Sequence, residues 1–408
     1  MRSTKYLLIG GGLASSQAAK ILSAKDPGAA ITLVCREPHL PYDRPPLSKE
    51  FFRGEKTRDE ITYDPMTFFD EKKIGVVLKN PVVHLDAGAK IAVLESGESF
   101  CFEKALIATG GQPIRFTLPG SLLAGIHYLR TVDDAETIKA EASPGKRAVV
   151  VGAGFIGMEL AASLTRLGVR VMVIEALPQI WARFLDATLA AHIRDYYEKK
   201  GIAFLAGESI REFKGDTRVR RVVTNSGHEI ECDFACVGIG IRPDVGIAQD
   251  ARLVVQNGIV VNERLQTSHP DIFAAGDAAN YPDPIFGKRR RVEHWGHAEY
   301  TGQLAGLNMA GFEQKYDLLS YAWSDIFDLH IEFAGDESEH DRILVRGTIE
   351  AGSFVVLYLK NDLLRAYFAV NTDSREFPAL QKLIRRKTPL GGRDADLENP
   401  DTDLKTLA

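Results

Sequence analysis

The sequence predicts an α/β protein with two domains that are each built around a parallel β-sheet. A short apolar segment, a glycine-rich turn and a helical pattern follow one another twice, with turns that begin at Gly10 and Gly152. Each copy leads into a second short apolar segment, as expected for neighbouring strands that are joined by a helix. The chain has 408 residues, which is enough for two or three domains of ordinary size.

The first glycine turn lies close to the N-terminus, directly after a predicted strand. The first glycine of such a turn, here Gly10, allows the sharp bend, and the second, Gly12, lets the backbone approach a pyrophosphate. Leu13 and Ala14 begin the predicted helix, whose positive N-terminal end favours an anion. Ser15 occupies the third glycine position, where the helix is expected to pack closely on the strand.

The second glycine turn matches the dinucleotide-binding pattern G-x-G-x-x-G in full. It follows the apolar segment 147–151, and its glycines are Gly152, Gly154 and Gly157. A single match of this kind is weak evidence, whereas two matches in the same strand–turn–helix context are much stronger. The sequence therefore predicts two Rossmann-like domains that each bind a dinucleotide.

An acidic residue after the second strand of such a domain binds a ribose of the nucleotide. In the second copy the segment 169–174 leads to Glu175, which favours NADH because a carboxylate repels the 2′-phosphate of NADPH. In the first copy the segment 31–35 leads to Arg36 and Glu37, and both remain candidate contacts. If one dinucleotide is NADH, the other is most simply FAD, which accepts a hydride and releases electrons singly.

Composition and charge exclude several other classes of protein. The net charge of -5 gives no global field that would attract nucleic acid. No apolar run reaches the roughly 18–20 residues that a membrane-spanning helix needs. Four scattered cysteines do not form a disulfide framework, and they favour a cytoplasmic protein. His294 and His297 have no evident third ligand, so no metal site is predicted.

Residues 40–49 read LPYDRPPLSK and closely resemble a signature of the FAD-dependent ferredoxin reductases of oxygenase systems. That family includes the putidaredoxin reductase and biphenyl dioxygenase ferredoxin reductase types, and apoptosis-inducing factor is a relative. Further matches follow in the family's order: ATG at 108–110, YLRT at 128–131, VGIG at 237–240, TS at 267–268, DIFAAGD at 271–277, RVEHW at 291–295 and WSD at 323–325.

This resemblance implies a glutathione-reductase-like architecture. An FAD-binding domain would comprise residues 1–112 and 242–320, and an NAD-binding domain would comprise residues 113–241. A C-terminal α+β domain, residues 321–408, would form the back of the flavin site. The pattern of this last segment agrees, because residues 354–359 predict a strand and no dinucleotide turn follows it.

The resemblance also implies a set of FAD contacts. Asp277 would bind the ribityl chain, Lys49 would face the isoalloxazine, and Trp323 would cover the ring. Pro45 and Pro46 would hold their segment in an extended path, because each fixes φ and lacks an N–H group. The other predicted FAD contacts are Gly10, Gly12, Leu13, Ala14, Arg36, Glu37, Arg44, Val82, Ala108, Thr109, Gly110, Arg130, Gly276, Glu293, His294 and Trp295.

On the NADH side the resemblance implies a catalytic pair, Lys49 and Glu159. Glu159 is predicted in the first turn of the second helix and would orient the nicotinamide carboxamide, while Lys49 would stabilise reduced flavin near N5. Phe155 would act as a gate over the flavin, with ordinary core packing as the alternative. The other predicted NAD contacts are Gly152, Gly154, Ile156, Glu175, Arg183 and Gly238.

The function implied by the resemblance is that of an NADH:ferredoxin oxidoreductase. Electrons would pass from NADH through FAD to an acidic [2Fe–2S] ferredoxin. Basic runs at 288–291 and 382–387 fit docking of such a partner and fit solvated loops equally well. The alternatives are a rubredoxin reductase and an NADH sensor like apoptosis-inducing factor. A disulfide reductase is disfavoured, since no cysteine lies near residue 45, and the oligomeric state, monomer or homodimer, stays open.

Overall fold

The computed structural model describes residues 1–182 and 184–408, which form two compact units. The first unit comprises Met1–Asp43, Arg58–Gln112 and Arg242–Ser320. The second comprises Arg44–Thr57, Pro113–Ile241 and Tyr321–Ala408. This division groups residues 44–57 with the second unit, whereas the three-domain division, which stays a prediction, groups them with the first glycine turn.

The described residues contain strands and helices in alternation. In chain order the strands are β1 (Arg2–Ile9), β2 (Ile31–Val34), β3 (Ile74–Val77), β4 (Val82–Asp86), β5 (Ile91–Leu94), β6 (Ser99–Ile107), β7 (Gly111–Pro113), β8 (Ile126–Tyr128), β9 (Arg147–Val151), β10 (Arg170–Glu175), β11 (Ala203–Ala206), β12 (Ile210–Lys214), β13 (Arg221–Thr224), β14 (Glu229–Glu231), β15 (Phe234–Val237), β16 (Ile241–Pro243), β17 (Ile259–Val260), β18 (Ile272–Ala274), β19 (Ala279–Asp283), β20 (Lys288–Arg290), β21 (Tyr321–Ile326), β22 (Leu329–Gly335), β23 (Arg342–Thr348), β24 (Ser353–Lys360) and β25 (Leu363–Val370). The α-helices are α1 (Leu13–Lys25), α2 (Glu50–Arg53), α3 (Arg58–Ile61), α4 (Met66–Glu71), α5 (Val132–Glu141), α6 (Phe155–Arg166), α7 (Ala187–Lys199), α8 (Gly246–Asp250), α9 (Trp295–Met309), α10 (Phe377–Arg386) and α11 (Asp394–Glu398). Short 3₁₀ helices cover Pro45–Ser48, Gly276–Ala278, Glu337–Glu339, Ser374–Glu376 and Leu404–Thr406.

The main sheet of the first unit has the strand order β3-β2-β1-β6-β5-β4, and β18 also pairs with β6. Strand β1 runs parallel to β2 and β6, so that Ile9 lies opposite both Val34 and Ile107. All four residues of β2 are buried, as expected for a strand that is covered on both faces. The glycine turn after β1 therefore lies at the carboxyl edge of the sheet, where the chain order reverses and dinucleotides bind in such folds.

The second unit repeats this arrangement in a sheet of order β11-β10-β9-β15-β8, whose strands are all parallel. Val151 at the end of β9 lies opposite both Ile174 and Val237, so the second glycine turn takes the equivalent place. The core beneath it includes Val149 and Ala235.

Two antiparallel sheets complete the second unit. One has the order β12-β13-β14, and the other, in the C-terminal segment, has the order β21-β22-β25-β24-β23. Helix α10 follows the latter sheet and buries Phe377, Leu380 and Leu383. The predicted fold class, two Rossmann-like domains with a C-terminal α+β part, is confirmed.

Two local expectations are wrong. Pro45–Ser48 forms a 3₁₀ helix rather than an extended segment, because the fixed φ of proline also suits the first turn of a helix, where no N–H donor is needed. Helix α6 begins at Phe155, so Glu159 lies in its second turn and not in its first. Within the described residues, no helix combines the length and the apolar character required to cross a bilayer.

Candidate functional site

The first glycine turn has the geometry of a pyrophosphate site. Gly10 has φ +120°, and a Cβ there would lie 2.2 Å from the carbonyl oxygen of Ala108. Around Gly12, by contrast, no heavy atom of the described residues comes within 4 Å of an added Cβ. Helix α1 begins directly after Gly12 with no acidic residue in its first turn and no side-chain cap from the described residues. Its N-terminal amides therefore face open space that suits an anion.

The second glycine turn has the same geometry. Gly152 has φ +102°, and its added Cβ would lie 2.4 Å from the carbonyl oxygen of Gly238. An added Cβ on Gly154 meets no described heavy atom within 4 Å, and α6 has neither an acidic first turn nor a side-chain cap among the described residues. Phe155 and Ile156 form the start of this helix, as Leu13 and Ala14 do in α1. Both turns fit a dinucleotide pyrophosphate.

Glu37, which follows β2, and Glu175, at the end of β10, differ in their surroundings. Glu175 accepts hydrogen bonds from the backbone N–H groups of Ala153 (2.6 Å) and Leu177 (2.8 Å), which fix the carboxylate beside the second turn. Glu37 instead accepts a hydrogen bond of 2.5 Å from the hydroxyl of Tyr42. The Glu175 carboxylate is thus part of its turn, as a ribose-binding acid must be.

Arg36 takes part in an ion pair inside the first unit. Its guanidinium donates to Asp244 at 2.8 Å, and 56% of the side chain is exposed. Asp244 also organises the loop after β6, because its N–H donates to the carbonyl of Gly110 (2.9 Å) and its carbonyl accepts from the Thr109 hydroxyl (2.6 Å). Ala108 donates to Ile9 at 2.9 Å and so joins this loop to the first glycine turn.

The predicted catalytic residues Lys49 and Glu159 are in contact within the second unit. The Lys49 Nζ lies 2.9 Å from Glu159 Oε1, and both side chains are buried. Lys49 follows the 3₁₀ helix Pro45–Ser48, and Glu159 projects from α6. A buried ion pair is costly unless further hydrogen bonds satisfy it. Here the Glu159 carboxylate also accepts from the hydroxyls of Ser48 and Ser324.

The comparison with protein families identifies the chain. Residues 4–302 match the family described as pyridine nucleotide-disulphide oxidoreductase. The chain belongs to this family. Residues 321–408 match a second family, described as reductase C-terminal.

Known proteins of similar sequence and structure agree with this assignment. The ferredoxin–NAD(+) reductase component of the anthranilate 1,2-dioxygenase system of Burkholderia cepacia is 32% identical, with all of both chains covered (100% of each). A rubredoxin–NAD(+) reductase of Pseudomonas putida is also 32% identical, over 91% of this chain and 96% of that one. The crystal structure of the ferredoxin reductase for the CYP199A2 system of Rhodopseudomonas palustris superposes with a TM-score of 0.93 at 30% identity, covering 99% and 100% of the two chains.

These findings confirm three predictions: the ferredoxin reductase family, an oxidoreductase activity, and FAD and NADH as cofactors. The fit of both glycine turns to a pyrophosphate is consistent with two dinucleotides. The role of each individual residue toward these cofactors stays a prediction.

Several predicted FAD contacts of this oxidoreductase lie in the first unit. Gly276 and Asp277 form a 3₁₀ turn after β18, and the Gly276 N–H donates to the Thr301 hydroxyl at 3.0 Å. Val82 begins β4 and is buried. Glu293 pairs with Arg291 at 2.6 Å.

The two residues that follow Glu293 are held by polar contacts in the same unit. His294 Nδ1 lies 3.1 Å from the Ser320 hydroxyl. The indole N–H of Trp295 donates to Asp43 at 2.8 Å and lies 3.0 Å from the Tyr63 hydroxyl. Asp43 and Trp295 are 252 positions apart, so the contact joins two distant stretches of the first unit.

The remaining predicted contacts lie in the second unit. Arg44 donates a hydrogen bond to the carbonyl oxygen of Arg130. Trp323 is 39% exposed and stacks on Tyr321, with ring centroids 5.9 Å apart. Gly238 places its carbonyl against Gly152, as described above, and Ile156 is exposed. Arg183 lies outside the described residues.

Phe155 is part of an aromatic cluster. Its ring centroid lies 5.4 Å from that of Trp181 and 5.5 Å from that of Phe184. Phe184 in turn stacks on Phe368 of β25, with ring centroids 6.0 Å apart. Phe155 thus packs among aromatic rings, and its role as a gate, which would require these rings to move, stays a prediction.

Three of the four cysteines, Cys35, Cys232 and Cys236, are buried and have the properties of structural thiols. Burial raises the pKa of Cys35 and of Cys232 to about 12, and it raises the pKa of Cys236 as well. These thiols stay protonated at neutral pH and are poor nucleophiles. This agrees with the sequence-based argument against a disulfide reductase.

Sequence reasoning missed three residues that organise these sites: Asp244, Ser48 and Ser324. The two serines stand beside Lys49 and Trp323 in segments that carry the family resemblance. The signal for Ser48 and Ser324 was therefore present, but nothing in the sequence assigned a partner to either hydroxyl.

Proposed function

We propose that this oxidoreductase takes a hydride from NADH onto FAD and passes electrons one at a time to a small [2Fe–2S] ferredoxin of an oxygenase system. The observation that supports it best is the repeated glycine turn, with open space at an uncapped helix N-terminus in each unit. When bound, FAD supplies the change from two-electron hydride chemistry to single-electron transfer.

Each unit contributes one dinucleotide turn in this proposal. The first turn, with Gly10 and Gly12, would hold the FAD pyrophosphate, and the second, with Gly152 and Gly154, would hold that of NADH. Glu175 would bind the adenosine ribose of NADH and disfavour NADPH by charge repulsion. Its two backbone hydrogen bonds support this role because they fix the carboxylate before the nucleotide arrives.

Lys49 and Glu159 would be the residues at the reacting atoms. The Lys49 ammonium would face the flavin and stabilise the negative charge that hydride transfer brings there. Glu159 would hold this ammonium in place and orient the nicotinamide carboxamide. The burial of both side chains supports the proposal, since a charge acts more strongly where water is excluded.

The protein acceptor in this proposal is a ferredoxin. Relatives named as ferredoxin reductases and as rubredoxin reductases both occur, so rubredoxin is the second candidate. The basic run 288–291 gives little support for steering an acidic partner. Arg289 donates to the carbonyls of Val261 and Asn280 at 2.5 Å each, and Arg290 pairs with Asp283 at 3.2 Å.

The basic residues near the end of α10 are more accessible. Arg385, Arg386 and Lys387 are exposed, and we propose this second cluster as the region that attracts an acidic carrier protein. Residence in the cytoplasm, the default for a chain with few cysteines, stays part of the proposal.

The proposal is tested by anaerobic stopped-flow absorbance of the purified protein. We expect bound flavin to bleach rapidly with NADH and much more slowly with NADPH. Subsequent mixing with an oxidised ferredoxin of a dioxygenase system should restore the flavin absorbance, and an oxidised rubredoxin serves as the competing acceptor.

The outcomes separate the parts of the proposal. Absence of flavin, or absence of bleaching by NADH, would overturn the central claim. Faster reoxidation by rubredoxin than by ferredoxin would replace the acceptor and leave the NADH and FAD chemistry in place.

A further inference from the structure

The Glu159 carboxylate is the centre of a buried hydrogen-bond cluster in the second unit. Its Oε1 accepts from Lys49 Nζ at 2.9 Å and from the Ser324 hydroxyl at 2.5 Å, while its Oε2 accepts from the Ser48 hydroxyl. Ser48 and Ser324 are each 1% exposed, and Glu159 is 5% exposed. Three donors thus hold one buried carboxylate.

The residues of this cluster come from three separate parts of the chain, and the three donors come from two of them. Ser48 and Lys49 belong to the segment that ends the 3₁₀ helix Pro45–Ser48, Glu159 to helix α6, and Ser324 to strand β21. Ser324 is the donor contributed by the C-terminal segment, 165 positions from Glu159. In β21 its side chain points inward, while its neighbours Trp323 and Asp325 are exposed.

We propose that Ser324 is a positioning residue for hydride transfer, which acts by fixing the Glu159 carboxylate against Lys49. The proposal rests on the function proposed above, in which Lys49 and Glu159 act at the reacting atoms. It gives the C-terminal segment a specific part in the reaction: its first strand completes the cluster that sets the direction of the Lys49 ammonium.

The physical reason lies in the geometry of the carboxylate. A glutamate side chain has three rotatable bonds, so a single ion pair does not define the plane of its carboxylate. Donors on both oxygens define it. Without the Ser324 hydroxyl, the carboxylate keeps Lys49 on Oε1 and Ser48 on Oε2, which are adjacent residues of one segment. A buried acceptor then loses its partner from β21, and the carboxylate and Lys49 can shift together away from the productive orientation.

The first test compares Ser324→Ala and Ser324→Thr with the wild type by anaerobic stopped-flow with NADH. For Ser324→Ala we expect the limiting rate of flavin reduction to fall roughly 10-fold, with the apparent Kd for NADH changed by less than about 2-fold. Ser324→Thr keeps the hydroxyl, and its β-branched side chain suits a strand, so it should restore most of the rate.

The second test is a double-mutant cycle with Glu159→Gln. If Ser324 acts through the Glu159 carboxylate, adding Ser324→Ala to Glu159→Gln should slow flavin reduction by less than about 2-fold further. A full 10-fold further loss would show that Ser324 acts by another route and would overturn the proposal.

Thr224→Val is the matched control for loss of a buried hydroxyl. Thr224 is fully buried on β13, and its hydroxyl contacts Ser226 and His228, not the cluster. This variant should lower the unfolding temperature and leave the limiting rate unchanged. If Ser324→Ala does not fold, Ser324→Cys replaces it, because its thiol is a weaker donor of similar size and should give the same direction of change.

The remaining outcomes separate this proposal from the function on which it rests. An unchanged limiting rate in Ser324→Ala, with wild-type flavin reduced by NADH, would overturn the positioning role alone. Failure of NADH to reduce the wild-type flavin would overturn the proposed function and the positioning role with it.

Discussion

The first and second glycine turns share a backbone design and differ in what packs against it. In both, the first glycine has positive φ, and an added Cβ would meet a carbonyl oxygen of the neighbouring strand's loop, at 2.2 Å for Gly10 and 2.4 Å for Gly152. In both, the second glycine faces open space in the described structure. The features that a pyrophosphate requires are therefore the features that the two copies have in common.

The third position shows the clearest difference. A Cβ on Gly157 would lie 2.0 Å from the carbonyl oxygen of Gly152, whereas Ser15 occupies the equivalent place with its side chain buried. The Ser15 hydroxyl has no hydrogen-bond partner among the described residues. The need for a third glycine thus depends on how closely each helix approaches its own turn.

The residue between the first and second glycines of each turn also has different neighbours in the two copies. A Cβ on Gly11 would lie 2.7 Å from Cys35 Sγ, while the second copy has Ala153 there and Glu175 opposite. Cys35 and Glu175 occupy equivalent positions in the two copies. Each directly follows the residue of the second strand that pairs with the last residue of the first strand. The second copy therefore has its acid directly at the turn, and the first copy has Glu37 two positions later.

The largest effect on stability is expected when the residues at the third glycine position, Gly157 and Ser15, are exchanged between the two turns. Gly157→Ser should destabilise the protein by about 3 kcal/mol and weaken NADH binding, because a side chain must fit where 2.0 Å is available. Ser15→Gly should cost less than about 1 kcal/mol, the usual penalty of glycine in a helix. Urea unfolding and NADH titration measure both effects. Equal losses in the two variants would show that the two helices approach their turns equally closely.

The next largest effect on stability is expected where helix α9 packs against α1, the helix that follows the first glycine turn. Gly302 of α9 packs on α1, and a Cβ there would lie 2.3 Å from the carbonyl oxygen of Ala14, so Gly302→Ala should cost about 2 kcal/mol. Gly246→Ala in α8 is the matched control, since no described heavy atom lies within 4 Å of its added Cβ. The control should be neutral or slightly stabilising. A stable Gly302→Ala variant would mean that α9 can shift away from α1 at little cost.

The two acids distinguish the turns by coenzyme preference. Glu175→Gln should reduce the preference for NADH over NADPH about 10-fold, or about 1.4 kcal/mol, because the charge that repels a 2′-phosphate is removed. Glu37→Gln should leave the ratio of the two coenzymes unchanged, since it alters the other turn. The ratio of kcat/KM values with NADH and NADPH provides the measurement. A change of similar size in both variants would contradict the assignment of NADH to the second turn.

The smallest expected effect is the pH dependence of stability that arises from His297 in helix α9. Burial, followed by the charges of His294 and Arg290, lowers the pKa of His297 from 6.5 to about 3. The unfolded chain therefore binds a proton near pH 6.5 that the folded chain refuses, so stability falls as the pH decreases below 6.5. Between about pH 7.5 and 6.0 this loss should be about 0.8 kcal/mol.

His297→Phe should remove this part of the pH dependence, which urea unfolding at the two pH values would detect. His228→Gln is the control, because 58% of the His228 side chain is exposed. An unchanged pH slope in His297→Phe would show that His297 is protonated or solvated in the folded protein.

Much of the fold was predictable because it follows from local patterns. The strands before both turns, the helices after them and Glu175 at the end of β10 are all readable from apolar spacing and glycine positions. The errors were local as well. Proline restricts φ to a value that both an extended segment and a helical turn accept, so the conformation of residues 45–48 was not determined by Pro45 and Pro46 alone.

The sequence by itself determined the two dinucleotide turns, since each depends on residues that are contiguous and on the backbone freedom of glycine. Only the tertiary structure decided which distant groups meet: Asp244 with Arg36, and Ser324 with Glu159. These partners are separated by 208 and 165 positions, and no periodicity links them. Hydrogen-bond partners at such separations are set by sheet order and helix packing, which are properties of the folded chain as a whole.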